Sequence, residues 1–229
     1  GRNNQTEVAR SNFAQGSRIA ASISYRKEYG GFAASQLSLF YNGQSGQNFS
    51  YVYNGGQNLQ NEDSRNQTLI YVPASADEIN LIDTDDLTAA QQWTNLNAFI
   101  ERDDYLSERR GEYAERNSNR TPFESILDLK FQQDFYIETG SGKRNTLTFT
   151  LDIFNFSNMI NKDWGRRYRN GFFGNAEVIR FVGFEADGTT PQFTYTENPQ
   201  EDIWEGDIID TGFRSSRWQM QVGVRYTFQ

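Results

Sequence analysis

Carboxylates are the one chemically versatile side chain this sequence supplies in quantity. It carries 30 Asp and Glu against 22 Lys and Arg, a formal net charge of -8, and neither cysteine nor histidine. The missing cysteine excludes a disulfide framework and a thiolate metal site. The missing histidine removes the commonest general base and the commonest metal ligand. An enzyme would therefore have to work with carboxylates, Lys, Ser or Tyr. The densest acidic group is Glu185, Asp187, Glu197, Glu201, Asp202, Glu205, Asp207 and Asp210, with no Lys or Arg between Arg180 and Arg214. A second is Asp77, Glu78, Asp83, Asp85 and Asp86. Hard oxygen ligands at flexible spacing suit Ca²⁺, yet Asp83-x-Asp85-Asp86 lacks the Gly and distal Glu of an EF-hand loop. A solvated acidic surface is the simpler account. No phosphate cradle, nucleophile–base pair or metal-ligand motif appears. The expectation is a protein that is not an enzyme, with no catalytic residue, no cofactor, no metal and no nucleic-acid partner.

The remaining charges sit in a pattern that explains them. Arg217 to Phe228 alternates with period two: Trp218, Met220, Val222, Val224, Tyr226 and Phe228 against Arg217, Gln219, Gln221, Gly223, Arg225 and Thr227. Successive strand side chains point to opposite faces, so one face is apolar and aromatic and the other polar. Four more segments alternate in this way, around 17–26, 32–41, 127–137 and 145–155, and in the third of these only Gln133 interrupts the apolar face. Each is about the 9–11 residues that a tilted membrane strand needs. Arg18, Arg26, Asp128, Lys130, Asp134, Asp152 and Arg225 then share the polar side, where cross-strand pairing is open to them. The mean hydropathy of -0.77 does not conflict with membrane strands, because half of each strand faces water. No apolar run reaches the eighteen or so residues of a membrane helix.

Connection lengths discriminate between β folds. Lys27-Glu-Tyr-Gly-Gly31 and Glu138-Thr-Gly-Ser-Gly-Lys-Arg144 are short turns, whereas 42–122 and 156–216 are long excursions. A soluble sandwich also alternates, but nothing in it sorts connections by length onto opposite ends. Short periplasmic turns and long extracellular loops are the habit of outer-membrane barrels. Five strands cannot close a lumen, so the reading is an all-β, antiparallel transmembrane barrel segment: the last five or so strands of a larger barrel. The polar N-terminus has no start Met and no signal-peptide pattern, which agrees with a piece of a longer chain. Inside the excursions, 46–54 and 67–73 read as strands that extend the wall, 178–184 and 192–196 as further strands, and 85–113 as helical. Thr88-Ala-Ala-Gln91 has capping-box spacing, and Leu87, Trp93, Leu96, Ile100 and Leu106 form the apolar face. Trp164, Phe172, Phe173, Phe193, Tyr195 and Trp204 are aromatics available for loop packing or for a ligand surface.

Three stretches resemble a known family. Gln221-x-Gly223-x-x-Tyr226-x-Phe228 is similar to the signal by which the barrel-assembly machinery recognises a closing strand, apart from one extra residue, Gln229. Leu147 to Asn161 looks like the penultimate-strand motif of TonB-dependent outer-membrane receptors, a strand breaking into an Asn-rich turn. Arg110-Gly-Glu-Tyr-Ala-Glu-Arg-Asn117, Arg120-Thr-Pro-Phe123 and Asp128-Leu-Lys130 resemble the segment entering the third-last strand in the Oar-like branch, which carries a carboxypeptidase-regulatory-like domain. Gln91-Gln-Trp93, Phe99-Ile100 and Tyr41-x-Gly-Gln-Ser-Gly46 belong to the same resemblance. It implies that residues 1–229 are the C-terminal portion of one barrel domain of about 22 strands, with the plug and TonB box elsewhere. It also implies a Gram-negative outer-membrane location and energised uptake of a ligand. The implied partners are outer-membrane lipid and lipopolysaccharide, TonB acting through the plug, the barrel-assembly machinery and a surface lipoprotein. The rival reading is a receptor-like barrel serving as a structural, assembly or surface-interaction subunit without transport.

Overall fold

The computed structural model describes residues 8–11, 13–55, 59, 68–138, 140, 142–170, 175–201, 205–206 and 216–228. Strand accounts for 48% of the chain, about twice the usual share in globular proteins, so the fold is mostly β-sheet. In chain order the elements are β1 (Arg18–Tyr29), β2 (Ala33–Gln44), β3 (Asn48–Asn54), β4 (Tyr71–Val72), α1 (Ala89–Arg102), α2 (Asp104–Ser107), β5 (Glu112–Tyr113), β6 (Asn119–Arg120), β7 (Glu124–Glu138), β8 (Arg144–Phe154), α3 (Phe156–Ile160), β9 (Tyr168–Arg169), β10 (Asn175–Phe184), β11 (Pro191–Thr194), β12 (Glu205–Gly206) and β13 (Gln219–Thr227). Among the described residues no helix is long and apolar enough to cross a membrane, which says nothing of crossing by strands. The chain divides into two compact units, Gly16–Gly46 with Pro122–Tyr168 and Gly206–Gln229, and Gly1–Gln15 with Gln47–Thr121 and Arg169–Glu205.

The first unit holds the five alternating strands, in the order β1-β2-β7-β8-β13. Every neighbouring pair is antiparallel. Register keeps the two faces separate across all five. Tyr25, Leu37, Phe131, Leu151 and Val222 form one row, and Arg26, Gln36, Gln132, Thr150 and Gly223 form the adjacent row on the other face. A one-residue slip would reverse the faces of a strand, and the tight turns prevent it. Gly30 and Gly31 both take positive φ, +54° and +78°, as a short hairpin of matching twist requires, and this sets Tyr29 opposite Ala33. Gln133 interrupts the apolar face without being orphaned. It stands opposite Ser35, accepts that hydroxyl's hydrogen, and donates to the carbonyls of Ala34 and Asp134 at 3.0 and 3.1 Å. Both hairpins lie at one end of the sheet. The four strand ends joined by long connections, Gln44, Glu124, Phe154 and Gln219, lie at the other.

The second unit corrects the expectation that the excursions extend the wall. Strand β3 joins a separate four-stranded sheet, β11-β10-β3-β6, in which β3 and β10 run parallel. Of the strand expected at 67–73 only β4 forms, paired with β5, together with a bridge from Leu69 to Val52; Gln67 lies outside the described residues. All of β3 but its last residue is buried, which explains its run of Phe49, Tyr51, Val52 and Tyr53. Parallel neighbours need a long crossover, and here they come from different excursions, so the two excursions share one core. Phe49, Tyr51, Ile70, Leu96, Ile100 and Ile179 are among its most buried members, each contributing about 1.5–3 kcal/mol on burial. Helix α1 begins with the expected capping box: Gln91 N–H donates to the Thr88 hydroxyl, and Thr88 N–H donates to the Gln91 side chain.

Candidate functional site

The two faces of the five-stranded sheet are the candidate functional surface, because they differ so sharply. On the polar face Asp134 is the hub. Its carboxylate accepts from Arg26 at 2.9 Å, from Thr148 at 2.8 Å and from Gln132 at 3.0 Å. Arg26 stands opposite Gln36, whereas Asp134 stands opposite Ala34, so the guanidinium reaches diagonally over β2. Ala34, fully buried, is small enough to pass beneath it. Lys130 and Asp152 are direct cross-strand partners and pair at 3.0 Å. Arg18 donates to Asn42 at 3.0 Å, and Asp128 accepts from the Asn155 backbone N–H at 2.7 Å. The face is not uniformly polar, since Phe40 and Phe154 also lie on it. Chemically it is a set of locked charges and amides next to exposed ones, a surface that stays wetted and rigid.

On the opposite face the large side chains of β1 and β13 are bare. Ile23 and Val222 are each 70% exposed, and Phe228 is 76% exposed. Aromatics stand at both ends of this face and also within it, where Tyr25 and Phe131 share the row of Val222. Tyr29, Phe135 and Tyr226 share a row near the hairpins, and Trp218 sits at the other end. Among the described residues β1 and β13 carry no partner on their outer edges.

The four residues of the terminal signal divide between these faces. Gln221 and Gly223 lie with the polar residues, Tyr226 and Phe228 with the apolar ones, their rings stacked with centroids 6.2 Å apart. Gly223 is required by crowding and not by backbone angle: a Cβ there would lie 2.6 Å from the Thr150 hydroxyl. The strand-breaking motif also resolves physically. Asn155 takes a left-handed conformation, φ +53°, between β8 and α3, which Asn tolerates better than most residues. Its amide donates to the Gly165 carbonyl at 2.8 Å. Asn158 donates to the carbonyls of Lys162 and Trp164 and accepts from Trp218 N–H at 3.3 Å, tying this turn to the start of the last strand.

The Arg110 to Asn117 block proves to be a backbone organiser in the second unit. Arg110 donates to the Pro73 carbonyl and the Asn97 side chain at 3.0 and 2.7 Å, and Gly111 N–H donates to the Val72 carbonyl at 2.8 Å. Asn117 is buried with φ +54°. Its N–H donates to the Ser50 hydroxyl, and its amide to the Arg10 carbonyl. Tyr51 donates to Asp103 and accepts from Asn119 at 2.8 Å, while Asp103 also caps α2 through Tyr105 and Leu106 N–H. Burial first, then the Asp103 charge, pushes the Tyr51 phenol far above its ordinary range.

Gln92, which the sequence marks only as part of Gln91-Gln-Trp93, has a structural role of its own. It is completely buried. Its amide donates to the carbonyls of Ile82 and Leu87 at 2.7 and 3.1 Å, and its oxygen accepts Tyr195 N–H at 2.8 Å. A polar residue inside an apolar helical stripe was the available signal, and Phe99 joins it on the buried face.

The acidic groups spread out. Glu78 accepts from Tyr71 and Ala74, Asp83 from Ala89 N–H, and Glu185 from Asn80. Asp187 closes the β10–β11 turn. Hydrogen bonds from the Thr190 hydroxyl and from the Thr190 and Thr189 backbone hold its carboxyl well below the usual carboxylate range. Among the described residues no group of three or more carboxylates converges as a metal site; Asp202, Asp207, Asp210 and the Glu205 side chain lie outside them. Of the loop aromatics, Phe193 and Tyr195 belong to the core, Trp164 is exposed, and Phe172, Phe173 and Trp204 lie outside the described residues. Phe193 also borders a cleft of about 540 Å³ with Tyr53, Tyr71, Tyr113, Pro191 and Glu78, an aromatic surface with one carboxylate. Compared with family models, characterised proteins and solved structures, the chain matches none.

Proposed function

We propose that the five strands are part of the wall of a transmembrane β-barrel, with the apolar face toward lipid and the charged face toward a wet lumen. The observation that carries this reading is the apolar face itself, which keeps register over five strands, is broken in one row by Lys27, Ser35 and Gln133, and is open along β1 and β13. Soluble monomers rarely expose apolar patches beyond a few hundred Å², and long unpaired edges invite further strands, which a closed barrel supplies. Dimensions agree as well. Trp218 to Phe228 spans about 33 Å at ~3.3 Å per residue. A tilt of ~40° reduces this to about 25 Å, the height of the apolar band between aromatic girdles. The sorted connections favour short hairpins on the periplasmic side and long connections on the extracellular side.

Within that reading the chain is the C-terminal part of an Oar-like TonB-dependent outer-membrane receptor that takes up a ligand with energy delivered through TonB. The support for the branch is the Arg110 to Asn117 block and the Asn155 turn. Cysteine scanning tests the wall, and residues 1–229 contribute no native thiol to the labelling. In the full-length protein, cysteines at 220, 222 and 224 should react with lipid-soluble reagents only, and those at 219, 221 and 225 with aqueous maleimide. Aqueous labelling of both sets would overturn the barrel. Uptake with and without the TonB box tests transport, and equal uptake in both would refute energised import.

A further inference from the structure

We propose that the turn after α3 and the start of the last strand form a binding site for the phosphate of an anionic outer-leaflet lipid headgroup. This rests on the membrane-wall reading above and adds a site to it. Lys162, Arg166 and Arg217 line one cleft of about 450 Å³ together with Asn158, Ser216 and Trp218. Among the described residues its lining holds three cations and no carboxylate, in a chain of net charge -8, and with Asp163 paired to Arg166 the local excess is still positive. Such a local reversal of sign attracts an anion despite the overall repulsion. Arg166 is set in place by its pair with Asp163 at 3.1 Å and by its donation to the Lys162 carbonyl, so a guanidinium fork is held ready for a phosphate.

Position selects a lipid as the source of that phosphate. Trp218, half-exposed, continues the apolar face of β13 at the end remote from the hairpins. Tryptophan there is the residue of the membrane–water boundary. A phosphate at the cations with acyl chains running down past Met220 and Val222 satisfies both halves of the surface. The backbone is held for this by Trp218 N–H donating to Asn158, and by Arg167 N–H donating to the buried Ser216 hydroxyl at 3.0 Å.

The test uses the full-length protein in phosphatidylcholine nanodiscs, with bisphosphorylated or dephosphorylated lipid A as probe and native mass spectrometry as readout. The phosphorylated form should be retained about tenfold more strongly, the scale of charge-assisted contacts weakened by solvent. Lys162→Gln combined with Arg166→Gln and Arg217→Gln should abolish that preference. Lys162→Gln alone, a surface change that leaves the turn's hydrogen bonds intact, should reduce it. Equal retention of both lipids by the unaltered protein, or an undiminished preference in the triple variant, overturns the site. Competition by millimolar inorganic phosphate would assign it to a free anion and overturn the lipid. Cysteine labelling of the same preparation separates the two levels: aqueous labelling on both faces condemns the wall, whereas a correct labelling pattern without phosphate preference condemns only this site.

Discussion

Replacing Gln92 by Met should loosen the second unit selectively. The volume is nearly conserved, so the loss is one of hydrogen bonding and not of packing. The Leu87 carbonyl keeps donors, since Thr84 N–H and the Thr84 hydroxyl also reach it at 2.9 and 3.2 Å. The Ile82 carbonyl and Tyr195 N–H lose the partner that Gln92 provides. A buried group left unmade costs about 1–3 kcal/mol, so two of them cost about 2–6 kcal/mol. Hydrogen exchange with mass spectrometry on the full-length protein reads this directly. Where opening is fast, even about 2 kcal/mol raises exchange roughly thirty-fold. The effect should centre on 80–88 and 192–196, and peptides from β7, β8 and β13 should be unchanged, because every partner of Gln92 lies in the second unit. Protection at Tyr195 within twofold of the unaltered protein would refute the clamp. Uniform loosening of both units would refute their separate cooperativity.

Three further outcomes are expected. Gly223→Ala should destabilise the last strand by about 1 kcal/mol, the cost of driving Thr150 off its rotamer, and Thr150→Ala should relieve it; thermal melting of the full-length protein reports both, and equal loss in the double variant would refute the crowding. Asn155→Gly should cost less than Asn155→Ala by about 1 kcal/mol, because only the alanine adds left-handed strain to the lost side-chain bonds, and thermal melting of the two variants decides it. Alkaline pH should unfold the second unit: Tyr51 has a raised folded pKa, so its stabilisation is complete below the unfolded value of about 10 and falls as pH rises beyond it. Tyrosinate absorbance should therefore appear in step with unfolding, and gradual ionisation without unfolding would refute the buried phenol.

The alternating segments by themselves determined the five strands and the split into two faces, because a period of two is a local property, and the short glycine turns determined the β1–β2 and β7–β8 pairs, whereas the β2–β7 and β8–β13 pairings came from the structure. The capping box at Thr88 was legible for the same reason, since its partners lie three residues apart. Two things came only from tertiary structure. The first is that both excursions build one compact unit with a parallel β3–β10 pair, and that β3 leaves the five-stranded sheet. Pairing between residues more than a hundred positions apart leaves no periodic trace, and a strand buried on both faces reads like any apolar run. The second is the meaning of the isolated polar residues. Gln92, Asn117 and Asn155 stand in the sequence only as members of motifs, and their roles became structural when backbone groups beyond those motifs completed their hydrogen bonds. Gly223 belongs with them: its spacing marked it as part of a terminal signal, and the Thr150 hydroxyl across the strand pair supplied the reason a side chain there is crowded.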